Sequence, residues 1–484
     1  MNTLRTLLLT LAAIGFMAAT PVYSADLWDV YQLAVKNDPI FRQAQANYEA
    51  ALENKPIARA GYLPNLGLNA SKSYSTIYGT SLTQTGTTSG GQPILGNVYN
   101  STAGRDTQYG LQLTQPLFNW AAWENIKQAD ASVAQAEAQY VAAQQDLIVR
   151  TATAYFNVIT ARDTLAADHA ATAANEKQLD QSKAKYQVGM SAITDVQNAQ
   201  AAYDQSVATE IGAQQQVINA EESLRAITGQ PVGELQEPVA NMPLRTPTPD
   251  NTQQWVSQAL KQNPNLMAAQ AAAQVAGRQV SIKRAGHYPT LDLTASYGRN
   301  NSTGTIFNTY HTNQKQLMLN FSMPLFSGGG VSAQVTQAER QYDAAQDQVE
   351  LVTRQTVQQT RTSYLGVLTG ISQVRALQQS VKSNQTSLQA METGMRVGTR
   401  TIVDVLLARQ NLVTAQTNYA QSRDNYLTSV LQLKQAAGIL APQDIRQINA
   451  LLQVPTPMPS MNTQAPPTAA DMPSATPPPE SNNN

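Results

Sequence analysis

The sequence has no cysteine among its 484 residues, and only 13% of the residues are charged. The lack of cysteine excludes disulfide bonds and a lipid anchor attached to a cysteine. The formal net charge of -1 argues against a nucleic acid as a partner, because nucleic-acid-binding proteins present clustered positive charge. The stability of the protein must therefore come from packing and from association between chains.

Long hydrophobic runs are also missing beyond the first residues. Arg5 precedes an apolar run over residues 7–19, and small residues follow near Ser24. This layout is typical of a secretory signal peptide, which we predict at residues 1–24. Because no later run reaches the roughly 20 apolar residues of a membrane helix, a membrane-spanning part would have to consist of alternating β-strands.

Features of an enzyme are absent from the sequence as well. His169, His287 and His311 stand apart and lack the spacing of metal ligands. No arrangement of serine, histidine and aspartate suggests a nucleophile, and no glycine-rich loop suggests a phosphate site. We predict no catalytic residue, no metal and no cofactor.

The chain does carry two copies of one pattern. AGYLPNLGLNAS at residues 60–71 reappears as AGHYPTLDLTAS at 285–296, and LQLTQPLF at 111–118 reappears as LNFSMPLF at 319–326. The copies of the second motif lie closer together than those of the first. We therefore predict an insertion in the first copy, in the loop between its two motifs, because loops tolerate insertions better than regular elements do.

The repeated motifs alternate between apolar and polar side chains, as a strand between lipid and water must. In the first motif, Leu66 and Leu68 alternate with Asn65, Gly67 and Asn69. A soluble sheet with one buried face would alternate in the same way, but the helical segments beside these motifs argue against it. We predict four strands, at residues 62–75, 105–118, 287–299 and 315–327.

Long segments without proline follow each pair of strands. One lies between Pro116 and Pro231 and the other between Pro324 and Pro442, and apolar residues recur in them three and four apart. This spacing predicts helices, the first of which would run roughly 100 Å at 1.5 Å per residue. A fibrous coiled-coil dimer would share these segments, but it would have no use for the four strands.

We predict that each long helical segment is broken once, the first at Gly189 and the second at Gly398. Glycine can adopt the left-handed conformation that ends a helix, and Asp195 or Asp404 can then help to begin the next helix. The sequence therefore predicts two helical hairpins with turns at the two glycines.

These elements divide the chain into two repeats, at residues 25–230 and 252–452. Each repeat has a helix, two strands and a long helical hairpin. A proline-rich segment at 231–251 is the predicted equatorial linker between them. We expect residues 453–484 to be a disordered tail, because they are rich in Pro, Ser and Asn.

Four strands cannot close a sheet, and a sheet edge left open inside a bilayer would leave backbone groups unpaired. Two chains would supply eight strands around an interior filled by side chains, and three chains would supply twelve strands around water. The polar faces of the predicted strands favour three chains.

The repeated residues resemble the TolC family of outer-membrane efflux proteins. The resemblance rests on the AGxxPxLxLxAS strands, on the PLF strand ends, and on YQVGMSAITDVQNAQAAYD at residues 186–204 and VGTRTIVDVLLA at 397–408. It implies an all-α fold class with a transmembrane β-barrel part. In such a homotrimer, four strands per chain form a shared barrel that continues into a periplasmic α-helical barrel.

The resemblance also implies an outer-membrane location that extends into the periplasm, with outer-membrane lipid around the barrel. The protein would be a passive exit duct for multidrug efflux and type I protein secretion. Its partners would be a periplasmic adaptor protein and an inner-membrane pump or ABC transporter. The alternatives are a general diffusion porin and a structural periplasmic coiled-coil spacer.

In this family the periplasmic end is closed at rest by inward-coiled helices. The resemblance implies that Arg400 ties this closed state to Thr194 and Asp195, and that Asp404 contributes to an acidic ring at the aperture. Helix capping alone would explain both aspartates equally well, but it does not explain Arg400.

The sequence departs from the family pattern at two positions of this gate. Leu407 stands where the ring has its second aspartate, and Met395 stands where the closing network has a tyrosine. We therefore expect three aspartates rather than six at the constriction of a trimer, and weaker binding of cations there.

Overall fold

The computed structural model describes residues 24–239, 242–304 and 310–454. The predicted signal peptide, apart from Ser24, lies outside the described residues. So does the predicted tail, apart from Gln453 and Val454.

The described chain consists of long helices joined to one four-stranded sheet. In chain order, the elements are α1 (Leu27–Asn37), α2 (Pro39–Leu52), α3 (Asn54–Ala60), β1 (Asn65–Thr87), β2 (Pro93–Asn119), α4 (Trp120–Gln187), α5 (Ile193–Thr228), β3 (Glu237–Pro238), α6 (Thr252–Gln262), α7 (Pro264–Arg284), β4 (Thr290–Thr303), β5 (Tyr310–Ser322), α8 (Gly330–Arg396), α9 (Ile402–Ala436), α10 (Pro442–Asn449) and β6 (Leu452–Gln453). Among the described residues, no helix is both long enough and apolar enough to cross a membrane.

The helix that precedes the strands in each half is divided at a proline. Pro39 begins α2 and Pro264 begins α7, each at the first helical position, where a missing N–H costs nothing. The residue before each proline caps the new helix: the Asp38 carboxylate accepts from the Phe41 N–H, and the Asn263 side chain accepts from the Leu266 N–H. Three helices, α1 to α3, therefore lead into the first pair of strands, and two helices, α6 and α7, lead into the second pair.

The sheet is antiparallel, with strand order β1-β2-β4-β5. Its register places Leu68 opposite Leu111, Leu111 opposite Tyr297, and Tyr297 opposite Lys315. Side chains alternate between the two faces, so one face is apolar and the other is polar. The leucine face contains Leu66, Leu68, Leu111, Leu113, Leu317 and Leu319, and the polar face contains Asn65, Asn69, Gln108, Gln112, Gln314 and Gln316.

The strands of the first half are longer than those of the second half. From Ser75 and Gly104 to the turn, β1 and β2 pair only with each other among the described residues, and they form a two-stranded ribbon that extends past β4 and β5. The additional residues of the first half therefore lengthen its strands, and our prediction that a loop contains them is wrong. Backbone pairing lets the ribbon satisfy its own hydrogen bonds, which a long loop would leave to water.

The fourth strand ends earlier than expected. β5 ends at Ser322, so Leu325 and Phe326 lie beyond it, although the alternating pattern continues to Leu325. Pro324 has no N–H to donate to a neighbouring strand, which explains why the ladder stops before it.

The main hydrophobic core lies where the two halves of the chain meet. Tyr155 and Phe156 of α4 are fully buried there, together with Leu431 of α9, Ile445 of α10 and Leu27 of α1. Beside this core, β3 pairs with β6 and joins the linker to the end of the described chain. The Tyr155 hydroxyl donates to the Gln236 carbonyl at 2.8 Å, so the core also fixes the linker.

Candidate functional site

The two helical hairpins turn through the same backbone motif. Gly189 and Gly398 have φ angles of 77° and 78°, in the left-handed region that favours glycine. The Gly189 N–H donates to Tyr186 and the Met190 N–H to Lys185, while the Gly398 N–H donates to Met395 and the Thr399 N–H to Gly394. This pair of bonds is the Schellman motif, which satisfies the last carbonyls of a helix.

Asp404 lies in the first turn of α9 and forms a capping box with Thr401. One carboxylate oxygen accepts from both the Thr401 N–H and the Thr401 hydroxyl, each at 2.9 Å. The Asp404 N–H donates to the Thr401 hydroxyl in return, at 3.3 Å. The backbone bond from Thr401 is the main reason that the pKa of Asp404 is lowered, and the nearby charge of Arg400 adds to it.

Asp195 lies at the matching position in the first turn of α5, but its partner differs. The Ser191 hydroxyl donates to the Asp195 carboxylate at 2.8 Å, and Ala192 in the cap position has no side chain that could accept a hydrogen bond. Thr194 is exposed beside it. The first hairpin turn is therefore held by a weaker cap than the second.

Arg400 directly precedes the cap of α9, and its side chain is exposed. Its N–H donates to the Gly394 carbonyl at 3.3 Å, and a Cβ atom on Gly394 would lie 2.7 Å from the Arg400 Cγ. Within the described residues of one chain, the guanidinium pairs with neither Asp195 nor Asp404. The predicted contact with Thr194 and Asp195 is therefore absent from this arrangement of the single chain.

A small hydrophobic cluster joins the two hairpins close to their turns. Its buried members are Leu179 of α4, Ala199 of α5 and Ile402 of α9. Met395, the residue at the family's tyrosine position, is half-buried against this cluster, and so is Leu406. Met395 thus contributes apolar packing where a tyrosine could also donate a hydrogen bond.

Comparison with known proteins assigns the chain to a family. The family model described as outer membrane efflux protein matches residues 30–230 and 255–439. The chain belongs to the outer membrane efflux protein family. It is 37% identical to outer membrane protein TolC of Escherichia coli (strain K12) over 466 residues, which is 94% of this chain and 90% of that protein. It is also 28% identical over 434 residues to the alkaline protease secretion protein AprF of Pseudomonas aeruginosa, which covers 88% of this chain and 87% of that protein.

Solved structures of outer-membrane channels share the fold. The Campylobacter jejuni CmeC channel matches with a TM-score of 0.71 and 19% identity, over 88% of this chain and 90% of that chain. The Vibrio cholerae protein VceC matches with a TM-score of 0.68 and 22% identity, over 85% and 96%. The predicted fold class is confirmed.

As an outer membrane efflux protein, the chain is a passive channel of the outer membrane, in the class that serves efflux and type I secretion, and it is not an enzyme. The alternatives of a general porin and a structural spacer are not favoured. Among the described residues, no group of three or more His, Cys, Asp or Glu is placed to hold a metal ion.

Leu407 of this efflux protein has 57% of its surface exposed in the single chain. Together with Val403 and Leu406 it lines a cavity of about 390 Å³ whose other wall includes Ala202 and Ser206 of α5. An aspartate in place of Leu407 would add a second carboxylate to α9, besides that of Asp404, on the helix face that carries Val403. Leucine makes that part of the hairpin apolar.

Arg409 is a residue of the hairpin ends that the sequence did not indicate. Its guanidinium donates to Asn175 of α4 at 3.2 Å and pairs with Glu392 of α8 at 3.1 Å. Only 14% of its side chain is exposed, so this arginine links three helices from a partly buried position. One arginine in a polar helix carries no local signal of such a role.

A second group of charges lies beside the linker, further from the turns. Arg423 pairs with Asp163 at 3.2 Å and approaches the Asp424 carboxylate at 3.5 Å. Asp424 is only 2% exposed, and its other oxygen accepts from the Thr160 hydroxyl at 2.8 Å. Burial raises the pKa of Asp424 to about 7, although the charge of Arg423 opposes this shift.

Proposed function

We propose that three copies of this chain form one outer-membrane duct, which a periplasmic adaptor protein and an inner-membrane pump or ABC transporter open at its periplasmic end. The duct is passive, since the pump supplies the energy. The observation that carries the proposal is the four-stranded sheet with a leucine face, a polar face and two outer strands, β1 and β5, that have no partner on one side among the described residues.

The free edges of β1 and β5 require a neighbour in the membrane, because an unpaired strand edge in hydrocarbon leaves backbone groups without hydrogen bonds. The simplest closure places β5 of one copy beside β1 of the next. Three copies give a closed sheet of twelve strands with room for water, which fits the amide and hydroxyl side chains of the polar face.

Engineered cysteines can test this closure, because the chain has no cysteine of its own. Asn69→Cys in β1 is combined in turn with Gln314→Cys, Gln316→Cys or Met318→Cys in β5, all on the polar face. Oxidation should link chains into a covalent product of three chains for the pair in register. Asn69→Cys alone is the control. A product that stops at two chains in every pair would overturn the trimer.

We further propose that Arg400 latches the closed periplasmic end by reaching Thr194 and Asp195 of a neighbouring coil. Its guanidinium is exposed and has no ion-pair partner in the described part of the chain, and Thr194 is exposed as well. A partly exposed ion pair contributes about 0 to 1 kcal/mol, so a docked adaptor could overcome three of them.

Single-channel conductance in planar bilayers tests the latch. Arg400→Ser should raise a small wild-type conductance clearly, because it removes the contact that closes the coils. Arg396→Ser is the matched control, since Arg396 is exposed in the last turn of α8 and, among the described residues, its side chain donates only to Thr393. Equal conductance of wild type and Arg400→Ser would argue against the latch.

The cargo that we propose comprises small toxic compounds and secreted proteins. The proposal follows the similarity to outer membrane protein TolC and to a protein named for the secretion of alkaline protease. A deletion strain should become drug-sensitive and should also lose a secreted protein. Loss of only one of these properties would restrict the cargo to that class.

A further inference from the structure

The charges of the four-stranded sheet are divided between its two faces. Its lysines and arginines, Lys72, Arg105, Arg299 and Lys315, are one to a strand, and its acidic residues are Asp106 and Asp292. All four cations lie on the leucine face and both carboxylates lie on the polar face. The two signs are completely separated between the faces, and the leucine face calls for an explanation of its own.

The register establishes this division directly. Arg105 is paired with Tyr74, Arg299 with Tyr109, and Lys315 with Tyr297, and directly paired residues share a face. Lys72 follows Leu66 and Leu68 at even spacing on β1. Asp106 is paired with Ser73 and with Ser302, which puts it on the opposite face.

The four cations border the apolar part of the leucine face on the side of the strand turns. Lys72 occupies the next position on that face after Ala70, Arg299 the next after Tyr297, and Lys315 the next after Leu317. On β2, which runs in the opposite direction, Arg105 is the second residue of the leucine face beyond Tyr109 towards the turn. The helices leave the sheet at its other end, where Trp120 contacts Tyr288 with ring centroids 6.2 Å apart.

The distance between the two borders matches a membrane. Leu291 and Arg299 lie on the leucine face of β4, and this stretch covers roughly 27 Å along the strand. Strand tilt of about 40° reduces this to roughly 20 Å across the bilayer, close to the apolar band of about 25 Å in outer-membrane barrels. The helices extend into the periplasm, so the cations lie at the level of the outer leaflet's headgroups.

Tyrosines accompany the cations, but no carboxylate does. The Lys72 ammonium lies 5.6 Å and the Arg105 guanidinium 4.9 Å from the centre of the Tyr74 ring, and Lys315 lies 5.9 Å from that of Tyr297. In the described part of the sheet, none of the four cations forms an ion pair, and all four are exposed. Anions that neutralise them would therefore come from outside the described sheet.

We propose that this cationic row binds the phosphates of the phosphorylated glycolipid of the outer leaflet. A cation facing hydrocarbon is costly, whereas at the headgroup level it can form charge-assisted hydrogen bonds to lipid phosphate. With one cation on each strand, the closed barrel would carry a positive band around its circumference. In the register, the four cations occupy neighbouring rows of the leucine face, namely the rows of Leu68, Ala70, Lys72 and Tyr74 on β1. The tyrosine rings beside it suit the boundary between acyl chains and headgroups.

Native mass spectrometry of the purified full-length channel can test the proposal with three probes: lipid A that carries two phosphates, lipid A from which the phosphates have been removed, and inorganic phosphate. The test variant carries Lys72→Gln, Arg105→Gln, Arg299→Gln and Lys315→Gln. The matched control keeps every charge, with Lys72→Arg, Arg105→Lys, Arg299→Lys and Lys315→Arg. Two double variants, Lys72→Gln with Arg105→Gln and Arg299→Gln with Lys315→Gln, serve if the fourfold variant does not assemble.

We expect the wild type and the charge-preserving control to retain phosphorylated lipid A. Each lost cation should weaken that binding by about fivefold. Dephosphorylated lipid A should bind weakly to every variant, and inorganic phosphate should compete poorly, because it has no acyl chains to hold it at this level. Equal retention of phosphorylated lipid A by the glutamine variants, or equal retention of both lipids by the wild type, would overturn the proposal.

Discussion

Thr401 and Asp404 hold the first turn of α9 together through reciprocal hydrogen bonds. The Thr401 N–H donates to the Asp404 carboxylate at 2.9 Å, and the Asp404 N–H donates to the Thr401 hydroxyl at 3.3 Å. The Asp404 oxygen that accepts from the Thr401 N–H also accepts from the Thr401 hydroxyl. The other carboxylate oxygen of Asp404 is therefore free in the described chain. Asp404 can therefore cap its helix and still present negative charge to an aperture.

Substitutions at these two residues separate the cap from the charge. Asp404→Asn should lower the preference of the pore for cations over anions, because it removes one negative charge per chain at the constriction. Thr401→Ala should destabilise the turn by about 1 kcal/mol but keep the ion preference. Reversal potentials in a salt gradient measure the preference, and melting temperatures measure the cap. An unchanged reversal potential for Asp404→Asn would mean that Asp404 serves only as a cap.

Alanine at two glycines should have opposite effects on stability. Gly398→Ala forces a side chain into a left-handed backbone with a φ of 78°, which should cost about 1 kcal/mol. Gly212→Ala lies inside α5, where an added Cβ meets nothing within 4 Å, and should stabilise by about 0.5 to 1 kcal/mol. Melting temperatures of the purified channel provide the comparison. Shifts of the same sign for both variants would contradict this account of the turn.

Arg409→Gln should loosen the hairpin ends. It removes the charged bonds to Asn175 and Glu392 from a partly buried site, which should cost about 1 to 3 kcal/mol. Limited proteolysis of the folded channel should then cut near the turns sooner than in wild type. Arg225→Gln is the control, because the exposed Arg225 pairs, in the described part of the chain, only with Glu222 one turn away. Equal cleavage of the two variants would rule out the bridging role.

Asp424 should make the stability of the helical part depend on pH. Its folded pKa is raised to about 7 from an ordinary value of 3.8, so between these values the folded state holds a proton that the unfolded state has released. Stability should therefore fall as pH rises from about 4 to about 7, by on the order of a few kcal/mol.

The variant Asp424→Asn should flatten this pH dependence while keeping an oxygen that can accept from Thr160. A weaker slope of the same sign should persist, because burial also raises the pKa of Asp163 and of Glu237. Melting temperatures across this pH range provide the measurement. Parallel curves for wild type and variant would show that Asp424 is not the group that titrates.

Local sequence patterns predicted much of the architecture. They failed where the structure depends on contacts between residues that are far apart in the sequence. Alternation indicated all four strands, and glycine indicated both hairpin turns, because each depends on neighbours in sequence. The same alternation did not indicate that β1 and β2 continue together from Ser75 and Gly104. That extension depends on backbone pairing across the hairpin, and the small polar residues there resemble those of a loop.

Only some residues of the candidate site could be predicted from the sequence. Asp404 and Asp195 could be named as helix-starting residues, and Arg400 through resemblance to a family. Arg409 and the pair of Arg423 and Asp424 could not, since a charged residue in a polar helix has the same appearance whether it faces water or a neighbouring helix. Their partners lie far away in the chain, as with Arg409 and Asn175.

The sequence by itself determined the class of the protein: periodicity predicts which segments are strands and which are helices, and repetition predicts that they occur twice. Both can be recognised from the order of the residues alone, without the folded structure. Only the tertiary structure decided that the four cations of the sheet share the leucine face and that Asp424 is enclosed beside Arg423. Strand register and helix packing bring these groups together, and the electrostatic free energy of a charge depends on its surroundings in space.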